Sequence, residues 1–174
     1  IGIVSFDGTA AADVPLSTSV SELKTAVDGL TAGGSTNHAD AFAKAVESFD
    51  PASSNERVIV MFTDGKTTAG PTPGPVAEAA KAEGIIIYCI GLVGSDGINV
   101  DDLNDWATDP DSAHVAVTPD EEELEALFAE LAKNISKPGA TQITIDEILN
   151  PDFQIVSIDP PSKGSAEKID INSL

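Results

Sequence analysis

Apolar residues concentrate in four short runs: Ile1–Phe6 (IGIVSF), Arg57–Phe62 (RVIVMF), Ile85–Ile90 (IIIYCI) and the shorter His114–Val117 (HVAV). The second and third are almost continuously apolar and rich in β-branched residues, the pattern of strands covered on both faces. Between the runs the period changes. Ala39, Phe42, Ala43, Val46 and Phe49 recur at helical spacing, as do Leu124, Leu127, Phe128, Leu131 and Ile135. Thr118-Pro119-Asp120-Glu121 offers a capping hydroxyl, a proline for the first turn and a Glu that reaches back. Ser19-Val20-Ser21-Glu22 repeats that box ahead of Leu23, Val27 and Leu30. Gly84 stands where a left-handed residue would end a Pro75–Glu83 helix. Strand and helix alternate down to about Ile135. The pattern predicts an α/β domain: a doubly wound, mostly parallel sheet with Arg57–Phe62 central and helices on both faces.

At Ser136-Lys137-Pro138-Gly139 the pattern changes, and the Pro-Gly pair predicts an exposed linker. From Ala140 to Leu174 apolar and polar residues alternate, with Pro and Gly breaks and no helical stripe. This reads as two or three strands opening an all-β module that is cut short at Leu174. A segment of about 35 residues cannot bury a core of its own, so it must lean on another part of the structure. The expected organisation is an α/β domain over 1–135, a linker over 136–139 and the start of a β-rich module over 140–174.

Composition narrows the function. The chain has 174 residues, with 9 Lys plus Arg against 29 Asp plus Glu, a formal net charge of −20. That balance argues against nucleic acid and against anionic membranes as partners. An apolar content of 41% argues against disorder. No apolar run approaches the roughly 18 to 20 residues of a membrane span, so no membrane insertion is expected from this segment. Residue 1 is the Ile of a strand-like run rather than a Met with basic followers, so no signal peptide is read here. The single cysteine, Cys89, excludes an intrachain disulfide framework; inside IIIYCI it reads as a buried small apolar group. Trp106, three residues after Leu103, reads as a core anchor. Between Ala82 and Ala132 there are thirteen acids and no Lys or Arg. No stretch of them fits a twelve-residue calcium loop with Gly at its sixth position, so they read as solvated helix faces.

Ligands of an open parallel sheet bind at the carboxyl ends of its strands. Two loops stand out there. Arg57–Phe62 runs into Thr63-Asp64-Gly65-Lys66, placing a carboxylate at the tip of a buried strand. Gly33-Gly34-Ser35-Thr36-Asn37 is a glycine pair followed by hydroxyls at the start of the Ala39–Phe49 helix. Thr36 can cap that helix or turn outward as an oxygen ligand, and Asp64 can hold a turn or act. No nucleophile-elbow motif such as G-x-S-x-G is present, so beyond Asp64 nothing suggests an enzyme.

Taken together, an apolar strand ending in Phe-Asp, a helix, GGSTNHADAF and an apolar strand ending in FTDGK resemble the von Willebrand factor type A domain over about residues 1–135. Ser35 standing just before Thr36 is the one change in the family's Gly-Gly-Thr-Asn loop. The resemblance implies a Rossmann-like fold and a metal-ion-dependent adhesion site. There a hard divalent cation, usually Mg²⁺ but also Mn²⁺ or Ca²⁺, is completed by an acidic group of a protein or extracellular-matrix ligand. It implies that Thr36 and Asp64 are metal ligands meeting at the C-terminal edge of the sheet. Ser35, Asn37, His38, Gly65 and Lys66 would form the ligand-binding rim; nitrogen ligands suit zinc better, so His38 reads as rim rather than metal ligand.

One part of the family pattern is not found. The first metal loop, Asp-x-Ser-x-Ser, does not occur in these 174 residues. Ile1 is therefore expected to begin at the family's second strand. The first strand would come from another segment or chain, and Mg²⁺ binding by this chain alone would be weak or nil. The tail motif DEILNPDFQIVSIDPPSKGSA resembles the opening strands of repeat modules in bacterial surface proteins. The reading favoured here is an extracellular or bacterial cell-surface adhesion module. An intracellular assembly factor of the chelatase-subunit or copine kind and a structural spacer with a degenerate site are the alternatives.

Overall fold

The computed structural model describes residues 1–93, 97–118 and 121–135. The expected strands after Ala140, the linker and the Pro119-Asp120 part of the last capping box lie outside the described residues. The chain divides into two units, Ile1–Ser136 and Lys137–Leu174; the first is described here.

The first unit opens with a hairpin. β1 (Ile3–Phe6) pairs antiparallel with β2 (Ala10–Val14), Phe6 opposite Ala10 and Ser5 opposite Ala11. Asp7 closes the turn, its Oδ1 accepting from the Thr9 backbone N–H at 2.9 Å. β2 departs from the expected strict alternation of strand and helix. Its sequence AAADV has neither a run nor a period, and it becomes a strand through its pairing with β1. α1 (Val20–Asp28) follows, with Ser19 as its N-cap as expected. Its apolar stripe finds little cover, since Val20 and Val27 are exposed among the described residues.

α2 (His38–Glu47), β3 (Val58–Thr63), α3 (Gly74–Ala82), β4 (Ile86–Leu92), α4 (Val100–Trp106), α5 (Asp111–His114), β5 (Val115–Thr118) and α6 (Glu121–Ile135) complete the unit. Gly84 follows α3 with φ +78°, where the left-handed stop was expected. β3, β4 and β5 form a parallel sheet in that order, with Ile59 beside Ile87, Met61 beside Cys89 and Cys89 beside Val115. Residues 57–62, expected to be central with a neighbour from outside this sequence, pair on one side only among the described residues. Among the described strands β4 is central and β3 is an edge. A continuous apolar run reports that both faces meet apolar groups; it does not count hydrogen-bonded neighbours.

Helices cover both faces of this sheet. On one side Ile59, Met61, Ile87 and Cys89 join Phe42 of α2, Ala77 and Ala80 of α3, and Leu103 and Trp106 of α4 in one buried core. On the other, Phe128 of α6 meets Phe62 with ring centroids 6.0 Å apart. That second face is the looser one: Val60 and Phe62 stay 38% and 39% exposed. Cys89 is fully buried, and burial pushes its thiol up to about 12, so it is inert at neutral pH. Among the described residues no helix is long and apolar enough to cross a membrane.

Candidate functional site

The site is built where β1, β3 and the start of α2 come together. Asn37, not Thr36, caps α2: its Oδ1 accepts from the Asp40 N–H at 3.1 Å. Its amide nitrogen donates to the Gly8 carbonyl at 3.0 Å, and its backbone N–H donates to the Asp7 carbonyl at 2.8 Å. Asp40 adds a third tie to the hairpin by accepting from the Ala10 N–H at 2.6 Å. The α2 N-terminus is thus fastened to the hairpin turn. Capping by Asn37 leaves the Thr36 hydroxyl unused by the helix.

Thr36 is fastened in turn to the loop that follows β3. Its N–H donates to Thr68 Oγ1 at 2.8 Å, while its carbonyl accepts from the N–H groups of Thr68 and Ala69 at 2.9 and 3.1 Å. A Cβ built on Gly65 would lie 4.0 Å from Thr36 Oγ1, so the Asp64-Gly65 turn and the Thr36 side chain share one corner. Thr36 is half-buried there, and Ser35, Asp64 and Lys66 are exposed.

His38 and Asn37 do not stand at the rim. His38 is fully buried and Asn37 is 8% exposed. The His38 ring lies between Phe6 and Trp106, with centroids 5.3 and 4.7 Å away. Its Nε2 pairs with Thr63 Oγ1 at 2.9 Å and its Nδ1 with Thr67 Oγ1 at 2.8 Å. Burial pushes its pKa down to about 4, and Asp102 on α4 opposes only part of that shift. His38 is a neutral strut beneath the site, holding both ends of the β3 loop.

Asp7 was not singled out in the sequence, yet it lies against this corner. A Cβ on Gly34 would come within 2.9 Å of Asp7 Oδ2, so the glycine is what lets the GGST loop pass over the hairpin turn. The signal was the Phe6-Asp7-Gly8-Thr9 turn, which places a carboxylate at the end of a strand. Gly70 has φ +76°, and a Cβ there would land on the Asn37 side-chain amide. Gly70→Ala is therefore expected to lower stability by about 2 to 3 kcal/mol, read from urea unfolding, because it adds backbone strain to a displaced cap.

A family model for the von Willebrand factor type A domain matches residues 1–130. The chain belongs to that family. Among solved structures it is similar to proximal thread matrix protein 1 from the mussel byssus, one form of which has a zinc-occupied metal-ion-dependent adhesion motif (23% identity, TM-score 0.67, 76% of this chain and 34% of that one). It is also similar to a von Willebrand factor type A protein from Catenulispora acidiphila (22%, 0.66, 77% and 33%) and to BatB from Bacteroides thetaiotaomicron (18%, 0.63, 79% of both chains). The chain spans about a third of the length of the mussel protein. No curated protein matches its sequence significantly.

For a domain of this family the donor chemistry at the corner is of the right kind. Thr36 offers a hydroxyl and Asp64 a carboxylate, both hard oxygens that suit Mg²⁺, Mn²⁺ or Ca²⁺. Their number is short. Among the described residues no group of three or more His, Cys, Asp and Glu side chains is placed to hold a metal ion. Six near-octahedral oxygens are needed, and two side chains leave most of that shell to other donors.

Proposed function

We propose that this domain is a non-enzymatic protein-binding module whose Thr36 and Asp64 corner engages an acidic group of a protein or extracellular-matrix ligand. One observation carries the reading: the Thr36 loop and the loop after β3 are laced by three hydrogen bonds, at the end of β3 where a parallel sheet presents ligands. A divalent cation, Mg²⁺ first, would supply positive charge and an open coordination position for the partner's carboxylate. Thr36 and Asp64 would hold it, with Ser35, Gly65 and Lys66 beside it. The zinc-occupied motif in the mussel relative supports this use of the loops.

The remaining donors come from outside the described residues, together with a strand that pairs along β3. Among the described residues β3 pairs on one side only, which supports a strand supplied by another segment or chain. Extracellular or bacterial cell-surface placement is the matching location. It is supported by likeness to a byssus matrix protein and to an aerotolerance-related membrane protein of Bacteroides fragilis (19% identity, TM-score 0.59, 76% of this chain and 78% of that one).

Two titrations test these statements. Substoichiometric Mn²⁺ is expected to broaden the amide signals of Ser35, Thr36 and Gly65 first, and Asp64→Ala to abolish that selectivity; broadening centred on the acidic helices would overturn the site. Calorimetry with Mg²⁺ alone is expected to give dissociation constants on the order of millimolar or weaker, because the shell is incomplete. Tight binding lost in Asp64→Ala would show instead that the chain completes its own site.

A further inference from the structure

Behind the rim, the second face of the sheet holds a cavity of about 270 Å³. Its wall includes Tyr88 of β4, Ser112 and His114 of α5, and Leu127, Glu130 and Leu131 of α6. The cavity lies where β5 begins, with Val115 beside Cys89, whereas the Thr36 and Asp64 corner lies where β3 ends. We infer that this cavity binds an organic cation, a primary ammonium or guanidinium group carried on a short apolar stem.

The lining chemistry selects that class. The Tyr88 and His114 rings meet with centroids 4.7 Å apart, so an aromatic wall faces the space. His114 Nδ1 lies 3.1 Å from the Pro110 carbonyl, which can only accept, so Nδ1 carries the hydrogen. In the neutral ring Nε2 is then an acceptor. Glu130 adds a carboxylate, and the ion pairs among the described residues leave it free. Leu127 and Leu131 supply apolar surface for a stem. None of these lining residues is a Lys or Arg, and the sequence from Ala82 to Ala132 carries thirteen acids with no Lys or Arg, Lys133 at the end of α6 being the next base along the chain. An anion would meet the Glu130 carboxylate and an acidic stretch of chain. A cation gains the ring faces, a carboxylate and a favourable field. The volume is near the lower end of ligand cavities, which fits a group of a few heavy atoms.

The test is an amide chemical-shift titration of the 174-residue chain with n-butylammonium, with neutral n-butanol as the matched control. Butylammonium is expected to shift Tyr88, Ile90, Val115 and Leu127 with a dissociation constant on the order of millimolar, and butanol to shift them little. Glu130→Gln and Tyr88→Leu should each weaken the amine about threefold to tenfold, and Tyr88→Phe should retain it. Salt should weaken the amine and leave butanol unchanged. N-acetyl-lysine methylamide separates the two sources of such a group: binding as tight as the amine's assigns the cavity to a lysine side chain of a partner, and much weaker binding assigns it to a free small molecule. Equal shifts from butylammonium and butanol, or amine binding unchanged in Glu130→Gln and Tyr88→Leu, would overturn the inference.

Discussion

Acidification from pH 7 to pH 4.5 is expected to remove most of a contribution of about 3 kcal/mol that neutral, buried His38 makes to folding. In the folded chain its pKa is pushed down to about 4, against 6.5 in the unfolded chain. Between those values the unfolded state binds the proton and the folded state does not, so stability falls with falling pH. The contribution is complete above pH 6.5, is lost progressively between 6.5 and 4, and changes no further below 4. At 1.36 kcal/mol per unit, the shift corresponds to about 3 kcal/mol, a large part of a typical domain's stability. Carboxylates also titrate near pH 4, and neutralising some of a net charge of −20 works in the opposite sense. The measurement is therefore a difference: urea unfolding of the chain and of His38→Gln across pH 7.5 to 4.5, in buffer containing chelator. The stability difference between them should shrink as pH falls. A constant difference would show that His38 titrates alike in both states.

The burial of His38 could not be read along the chain. Its neighbours in the core are Phe6, Thr63, Thr67 and Trp106, all distant in sequence. A histidine one residue past a helix cap looks like a rim group until those partners close over it. Asn37 is a similar case: Ser, Thr and Asn stand in a row before α2, and each can cap. The closure of Asn37 onto Gly8 and Asp40 decides which one does, and that turn belongs to a different element.

The parallel strands were legible because unbroken apolar runs such as IVMF and IIYCI have few other uses in a soluble domain. β2 was not, because alanines and an aspartate in AAADV carry no strand signal apart from their partner in β1. The edge position of β3 was hidden for another reason. Strand order is a long-range property, and a strand's apolar sequence is compatible with either a central or a flanking place. The pairing of GGST with the TDG turn was the most legible part of the site. Only the TDG turn follows a strand of the parallel sheet; GGST joins α1 to α2, so its place beside that turn was legible through the family resemblance and not through the crossover rule.

Phe42→Ala is expected to cost about 3 to 5 kcal/mol, whereas Asp64→Ala should stay within about 0.5 kcal/mol of the parent. Phe42 is 0% exposed, packs its ring edge against Trp106 at a centroid distance of 5.8 Å, and belongs to the same core as Ile59 and Met61. Truncation would open a cavity that the surrounding strands cannot close. The effect reaches the site through α2. That helix carries Asn37 and Asp40, the two side chains that fasten the hairpin turn, so loosening its packing should loosen β1 and β2 before β4. Asp64 sits on an exposed turn, and its loss removes a donor without opening the core. Urea unfolding of both variants, with hydrogen exchange of the Val4, Phe6 and Ala12 amides against those of Ile87 and Cys89, separates the two roles. A Phe42→Ala loss below about 1.5 kcal/mol, or equal exchange in hairpin and sheet, would show that α2 does not couple the core to the corner that Thr36 and Asp64 share.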